Sequence, residues 1–491
     1  MINGLHGLWL VLPIALFALL LVLAQDLGFT WMVLLGLCAA ALAGLIWFGK
    51  LIPGLLFIFM ASVPIVISKH VYSPPGTFTL PISIYLCDVV FFALALLWLW
   101  RLVFIERRAP LVSVHYKWVL ILVAWIAVSV IWSEHPSYVF TSVFNYVRIT
   151  LIMVVLVDVL QEKGLLKYVF AGVLFALAAN ACMSLLQLLT TANFELQGVK
   201  VGLDATRLQY GGGAIEVYRP SGLTVHPNML ASLMVFITPV IASYLLMYRN
   251  HWRGWLWRLI FLLYLAGMTA LGITLSRGGW LSVAIAMLFV LIVFVQAGML
   301  PKRVLVNLGI GAMLAVAIAI VVYPALLLRV TQPDHRSGES RLLLIEQALM
   351  IIKNDPVLGI GAGNYSSGAQ TATPASFAAL PDEYVTRLKE GVVHNKYFLV
   401  LSELGVVGLL LFLFMLVHFV RMPFSRGVWH DPWLFSLSVG LSATILGHML
   451  FFMVDHFYSE ISMQQLWLVF ALLVVVERLD MAAAGLKKMA T

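Results

Sequence analysis

Charge is what this sequence has least of. Asp, Glu, Lys and Arg make up 11% of its 491 residues, against ~25% in a soluble domain. At ~150 residues per domain the length alone would suggest three soluble domains, but too few ionised groups remain to wet their surfaces. Cysteine is also scarce. Cys38, Cys87 and Cys182 each sit inside an apolar run, so they spell out neither a disulfide framework nor a metal site. There is no Walker motif, no serine nucleophile elbow, no His-x-Glu-x-x-His and no Asp-x-Asp pair in the loops discussed below. Disordered, coiled-coil, fibrous and disulfide-rich secreted classes are excluded by the same composition.

Apolar residue is what the sequence has in abundance: 62% of the chain, with a mean hydropathy of +1.01. Fourteen apolar segments can be counted, at roughly 8–25, 29–49, 51–68, 84–104, 116–132, 143–160, 165–189, 228–247, 257–276, 278–298, 303–324, 396–420, 433–453 and 463–477. Runs near 20 residues match a ~30 Å hydrocarbon layer. The expected fold is an all-α polytopic membrane protein of about 14 spans, with 12 still open. The first run lacks a basic start and a small-residue cleavage site, so it reads as a retained helix and not a signal peptide.

Loop charge orients the chain. With the N-terminus inside, the short inner loops carry 14 Lys and Arg, and the short outer loops carry only Lys69 and Arg277. That bias follows the positive-inside rule, places both termini in the cytoplasm, and accounts for much of the net charge of +8 without nucleic acid. The chain then divides into N-terminal helices (1–189), a first outer loop (190–227), central helices (228–324), a large outer loop (325–395), and C-terminal helices with a short cytoplasmic tail (396–491). Within the large loop, Leu342, Ile345, Leu349 and Ile352 recur at helical spacing across residues 340–353, and Asn354-Asp355-Pro356 ends the run. An amphipathic helix at the outer membrane boundary is expected there.

Loops this long are uncommon unless they are functional. The outer face gathers arginines: Arg148, Arg207, Arg219, Arg277, Arg329, Arg336, Arg341 and Arg387. The planar guanidinium fork suits bidentate capture of phosphate. For Arg277, in the tight Ser276-Arg277-Gly278-Gly279 turn, two readings stand: an anion-binding group, or a side chain bonded to helix-end carbonyls. Six histidines also fall outside, namely His70, His135, His226, His335, His394 and His456, and each is a structural group or a general base near neutral pH. Asp455-His456 is the nearest thing to a metal cluster, without diagnostic spacing. No metal and no cofactor is expected. Gly359-Ile360-Gly361-Ala362-Gly363 lacks dinucleotide-motif spacing and reads as turn chemistry after Pro356.

Several of these pieces together resemble the O-antigen ligase and polymerase superfamily of integral membrane glycosyltransferases. His394-Asn395 is followed by nine residues and then Gly405-x-x-Gly408. Thr274-Leu275-Ser276-Arg277-Gly278-Gly279-Trp280 is a second piece, and Ser340-Arg341 opening a helix that ends in Asp355-Pro356 is a third. Arg219-Pro220-Ser221-Gly222 before His226-Pro227-Asn228 is the fourth, with Arg207-x3-Gly211 beside it. The resemblance spans about residues 205–410.

The resemblance implies a GT-C-like fold in the bacterial inner membrane with its active site on the periplasmic side. It implies a glycan donor on undecaprenyl pyrophosphate, among membrane lipids, and an acceptor hydroxyl on a glycan or the lipid A core. Transfer would invert the anomeric carbon without a metal. His394 would be the base, and Arg277 and Arg341, with Arg219 and Arg207 as further candidates, would hold the pyrophosphate. His226, Asn395 and Glu403 are secondary candidates. Glu403 lies ~14 Å along a helix from His394 and on its opposite face, so it is expected to bond a neighbouring helix. Gly405 and Gly408 are expected to let a neighbouring helix pack closely. A transporter or flippase of lipid-linked glycans is the reading from another class, and a protein O-oligosaccharyltransferase is the alternative among enzymes.

Overall fold

The computed structural model describes residues 49–74, 81–191, 194–196, 199–201, 206–210, 215–332, 337–425, 429–456, 460–483 and 485. The first two apolar segments, apart from Gly49, lie outside the described residues, as do His335 and Arg336. Each of the other twelve segments forms a helix. In chain order these are α1 Leu51–Ser62, α2 Leu86–Trp100, α3 Tyr116–Val128, α4 Pro136–Val159, α5 Lys163–Thr190, α6 Pro227–Met247, α7 Trp255–Ile273, α8 Arg277–Gln296 and α9 Lys302–Val322. The large loop then contributes α10 Ala325–Thr331, α11 Ser337–Asn354, α12 Tyr365–Thr371 and α13 Asp382–Glu390. The chain closes with α14 Lys396–Arg421, α15 Pro432–Phe451 and α16 Glu460–Ala483.

Among the described residues nine helices are long and apolar enough to cross a membrane. The protein is therefore an all-α polytopic membrane protein. A 21-residue helix such as α6 rises about 31 Å, the depth of a hydrocarbon layer. α6 is buried along nearly its whole length and packs against α7, α8 and α15. Gly440 of α15 makes the closest approach, since a Cβ there would lie 2.4 Å from Ser243 Oγ and 2.8 Å from the Cα of Val240.

Helix starts are written into the sequence. His135-Pro136, His226-Pro227 and Asp431-Pro432 each place proline at the first helical position, where its missing N–H costs nothing. At one end of the bundle, ion pairs join α2, α4, α5 and α15: Arg108 Nη2 lies 2.9 Å from Asp158, and Lys163 pairs with Asp431. The site described below is at the other end.

The connections contain structure that an all-helical reading does not foresee. Three antiparallel hairpins form: β1 Ser68–Tyr72 with β2 Ile82–Tyr85, β3 Phe194–Leu196 with β4 Val199–Val201, and β5 Thr206–Tyr210 with β6 Ile215–Arg219. They satisfy the backbone of the connections locally and make no sheet layer.

The large loop folds around a core of its own. Leu343, Leu344, Ala348 and Ile351 of α11 bury against Tyr365, Ala369, Phe377, Leu388 and Val393, and against Leu399 in the first turns of α14. The amphipathic helix is present, but its packing face is not the stripe expected from the sequence. Leu342 and Leu349 of that stripe are 65% and 47% exposed. Both sides of the helix are apolar: the shifted face packs inward, and of the expected stripe Ile345 joins that core while Leu342 and Leu349 stay exposed.

Candidate functional site

The site assembles around residues 451–456, between α15 and α16, where the sequence shows only the end of an apolar run and the Asp455-His456 pair. The last carbonyls of a helix have no partner within it, and here the start of α14 supplies them. The Lys396 N–H donates to Phe452 O (2.8 Å), Asn395 Nδ2 to Met453 O (3.0 Å), and Tyr397 Oη to Met449 O (2.6 Å). The other face of Asn395 caps α14, its Oδ1 accepting from the N–H groups of Tyr397 and Phe398. Asn395 is thus a clamp between two helices, one residue from His394.

Three further motifs reach the same segment. A Cβ on Gly278 would lie 2.4 Å from Val454 Cγ2, so the start of α8 rests on it. Asn228 Nδ2 donates to Asp455 Oδ2 at 3.3 Å. The rings of His394 and His456 lie 4.8 Å apart, tilted by 33°. The described contacts therefore bring His394, Asn395, Asn228 and the Arg277 turn to one place.

The nine residues between Asn395 and Gly405 form a rigid spacer. α14 is broken at Gly405, where φ is 66° and ψ is −172°. Into that break docks the glycine-rich loop. Ile360 N–H donates to Ser402 O (3.0 Å), Gly361 N–H to Glu403 O (2.8 Å), and Val406 N–H to Pro356 O (3.0 Å). Gly359, Gly361 and Gly363 all take positive φ there. One expectation is corrected: Gly405 admits a loop, not a helix, because its missing Cβ makes room for backbone. The glycine run forms turns, as expected, and its backbone also docks into the break. Gly408 does face a helix: Trp125 of α3 lies against it and donates to Leu404 O at 3.1 Å. Glu403 accepts from the Tyr365 N–H at 3.3 Å, which fits the expected bond to a neighbouring helix, here the start of α12.

The arginines separate into two kinds. Arg219 is buried, its Nε donating to Thr274 O at 2.7 Å and its Nη2 to Asn228 Oδ1 at 3.0 Å. Arg329, also buried, donates Nε to Leu275 O at 2.8 Å. Together they grip adjacent carbonyls of the turn before Arg277, in which Leu275 takes a φ of 54°. Arg219 therefore sits in the wall of the site, where these two bonds make it a strut for the turn. Arg148 bonds Asp88 and Ser83 O. Arg207 is on the β5–β6 hairpin, paired at 2.8 Å with Glu216, both largely exposed. None of the described contacts brings it to His394.

Arg277 and Arg341 differ from these. Arg277 is exposed at the first position of α8, where its charge opposes the positive end of the helix dipole. A bound anion would reverse that penalty. Arg341 is half-buried in α11 and close enough to His394 to act on its charge. His226 caps α6, its Nδ1 accepting from the Asn228 N–H at 3.1 Å.

Electrostatics favour a neutral base. Burial pushes the His394 pKa below its ordinary 6.5; Asp455 pulls it up and Arg341 pushes it down. His456 falls to about 4, first through burial, with Asp455 opposing and His394, Lys396 and His226 adding to the fall. His394 Nδ1 is buried and has no hydrogen-bond partner among the described residues. No group of three His, Cys, Asp or Glu arranged to hold a metal occurs among the described residues.

The fold and this cluster define a polytopic membrane protein with a histidine and arginines gathered at one end of a helical bundle. Residues 259–413 match the family model described as O-antigen ligase. The resemblance to the O-antigen ligase and polymerase superfamily therefore holds over that stretch, and it supports a glycan-transferring membrane enzyme in general. The matched residues include Arg277, Arg341, His394, Gly405 and Gly408, and leave out Arg219, His226, Asp455 and His456. No curated protein matches the chain.

Proposed function

We propose that the protein transfers a glycan from undecaprenyl pyrophosphate to an acceptor hydroxyl, with inversion and without a metal, on the periplasmic face of the inner membrane. The fold would be GT-C-like, with both termini in the cytoplasm. The acceptor is a second lipid-linked glycan or a lipid A core sugar. One observation supports the reading: within the stretch that matches the O-antigen ligase model, contacts to segment 451–456 gather His394 and the Arg277 turn at one end of the bundle.

In this chemistry His394 takes the hydroxyl proton as the oxygen attacks the anomeric carbon. The bond from that carbon to the pyrophosphate oxygen breaks, and its electron pair leaves with the lipid pyrophosphate. Arg277 and Arg341 meet the charge that grows there. Fixed charges of this kind stabilise a transition state without reorganising. Arg219, Arg329 and Asn395 hold the turn and the helix start on which these groups stand.

The test is transfer by the purified protein in detergent, from a lipid-pyrophosphate glycan to an added acceptor. An enzyme turns over without a sealed bilayer; a flippase does not. Deletion, followed by surface-glycan analysis, identifies the acceptor. Lipopolysaccharide without attached polymer indicates a ligase, a single attached repeat indicates a polymerase, and loss of exopolysaccharide alone indicates an exopolysaccharide polymerase.

A further inference from the structure

His456 lies outside the matched domain and outside every motif of the sequence reading, yet its ring is 4.8 Å from that of His394. The charged and titratable groups around the pair come from several elements. Asp455 is anchored by the side chain of Asn228, and one of its carboxylate oxygens is 3.9 Å from His456 Nδ1. Arg341 of α11 acts on His394; Lys396 of α14 and His226 before α6 act on His456. One carboxylate therefore faces two imidazoles and several cations.

Two positive rings at this separation repel strongly in a site of low effective dielectric. One ring can be charged beside Asp455; charging both is opposed by the pair itself and by Arg341 and Lys396. Groups coupled this closely titrate as a unit.

We propose that His456 is a positioning residue for His394: at most one of the two adjacent rings carries a proton, so that a neutral His456 and the Asp455 carboxylate make room for the imidazolium formed when His394 accepts the hydroxyl proton. This rests on His394 being the base. The proton balance is simple. The proton leaves the acceptor oxygen, resides on the histidine pair, and departs to solvent after transfer. His456 need not touch substrate. Its effect is to set the pH range over which His394 is ready to accept.

Two measurements on the full-length protein test this. The first is the NMR titration of 15N-histidine-labelled protein in nanodiscs, with His394 and His456 assigned by substitution. The wild type should show coupled titration, each ring's signals responding to the protonation of the other. Independent single-site curves for the two rings would overturn the proposal. The second is the pH profile of kcat/KM. In His456→Lys, where the neighbour stays charged, the acidic limb and the His394 midpoint should both fall, by about one pH unit, the usual scale of a protein-induced shift; in His456→Asn, which keeps an uncharged neighbour, both should stay. A purely structural role would lower the rate in both variants and shift neither midpoint. If His394→Ala leaves transfer intact, the base assignment fails, while the titration still reads the coupling. If transfer needs His394 but its midpoint ignores residue 456, only the pairing is wrong.

Discussion

The carbonyl of Val357 lies where a side chain on Gly405 would begin. A Cβ built there would be 2.0 Å from that oxygen, and the residue holds a φ of 66°. Sterics and backbone conformation thus both demand glycine. Gly405→Ala should destabilise the protein by at least about 3 kcal/mol, from overpacking together with left-handed strain. It should also loosen the loop unit and with it the start of α14. Gly272→Ala is the control, since nothing lies within 4 Å of its missing Cβ and it sits in helix α7. It should be neutral or gain up to about 1 kcal/mol. Thermal unfolding in detergent reads both; equal midpoints would dispose of the interlocked backbone as a source of stability.

Arg219 acts through Thr274. Removing its side chain leaves a buried carbonyl without that donor, which costs about 1–3 kcal/mol. Arg219→Ala should therefore lower thermal stability and slow transfer through displacement of the turn. Its folded fraction should bind donor nearly as well as the wild type. If donor affinity collapses while stability is unchanged, Arg219 is a substrate contact after all.

Much of this arrangement was written in the sequence, but unevenly. Apolar runs give each of the α-helices named above outside the large loop, because helix length in a bilayer is fixed by a thickness that the run length can be measured against. His394, Arg277 and Arg341 stand out because their spacing to glycines or helix starts is local. The role of segment 451–456 as the seat of α14 is invisible to the same reading, although the sequence singles out Asp455 and His456 in it. Its contribution is largely backbone carbonyls, offered to partners more than fifty residues away in sequence, and every residue has a carbonyl. The packing face of α11 was missed because both of its sides are apolar, so periodicity alone cannot say which turns inward. The β5–β6 hairpin was missed because its strands are only five residues each, too short for their alternation to stand out. The burial of Arg219 was not legible, because sequence shows a charge and not what surrounds it.

Arg277 and Arg341 give the third prediction. If they hold a pyrophosphate, lysine should replace either poorly, since an ammonium is a point charge without the guanidinium fork. Arg277→Lys and Arg341→Lys should fold normally and lose transfer. The thermal midpoint of Arg277→Lys in particular should hardly move, because that residue is exposed. Full activity in both variants would mean that charge suffices. Full activity in the alanine variants would remove both residues from the site.

The last prediction joins His394 to pH. General-base assistance is worth typically ~10²–10⁴-fold, so His394→Ala should slow transfer by about that factor. Donor affinity should be largely retained, because the arginines remain. The sign of the pH dependence follows from burial. The folded protein holds the His394 pKa below the ordinary 6.5, so the folded state favours the neutral ring. The reactive form is then fully present above pH 6.5 and is lost as pH falls through the depressed value, giving kcat/KM an acidic limb below 6.5. Stability follows the same direction: protonation favours the unfolded chain, so this histidine's contribution is intact above 6.5 and declines as the pH drops toward its folded value. In His394→Ala the rate should fall at every pH and the acidic limb due to this ring should vanish. Measuring kcat/KM and donor binding between pH 5 and pH 8 separates the possibilities. An acidic limb unchanged in His394→Ala would assign it to another group, and donor binding weakened as much as transfer would make His394 a phosphate contact and not a base.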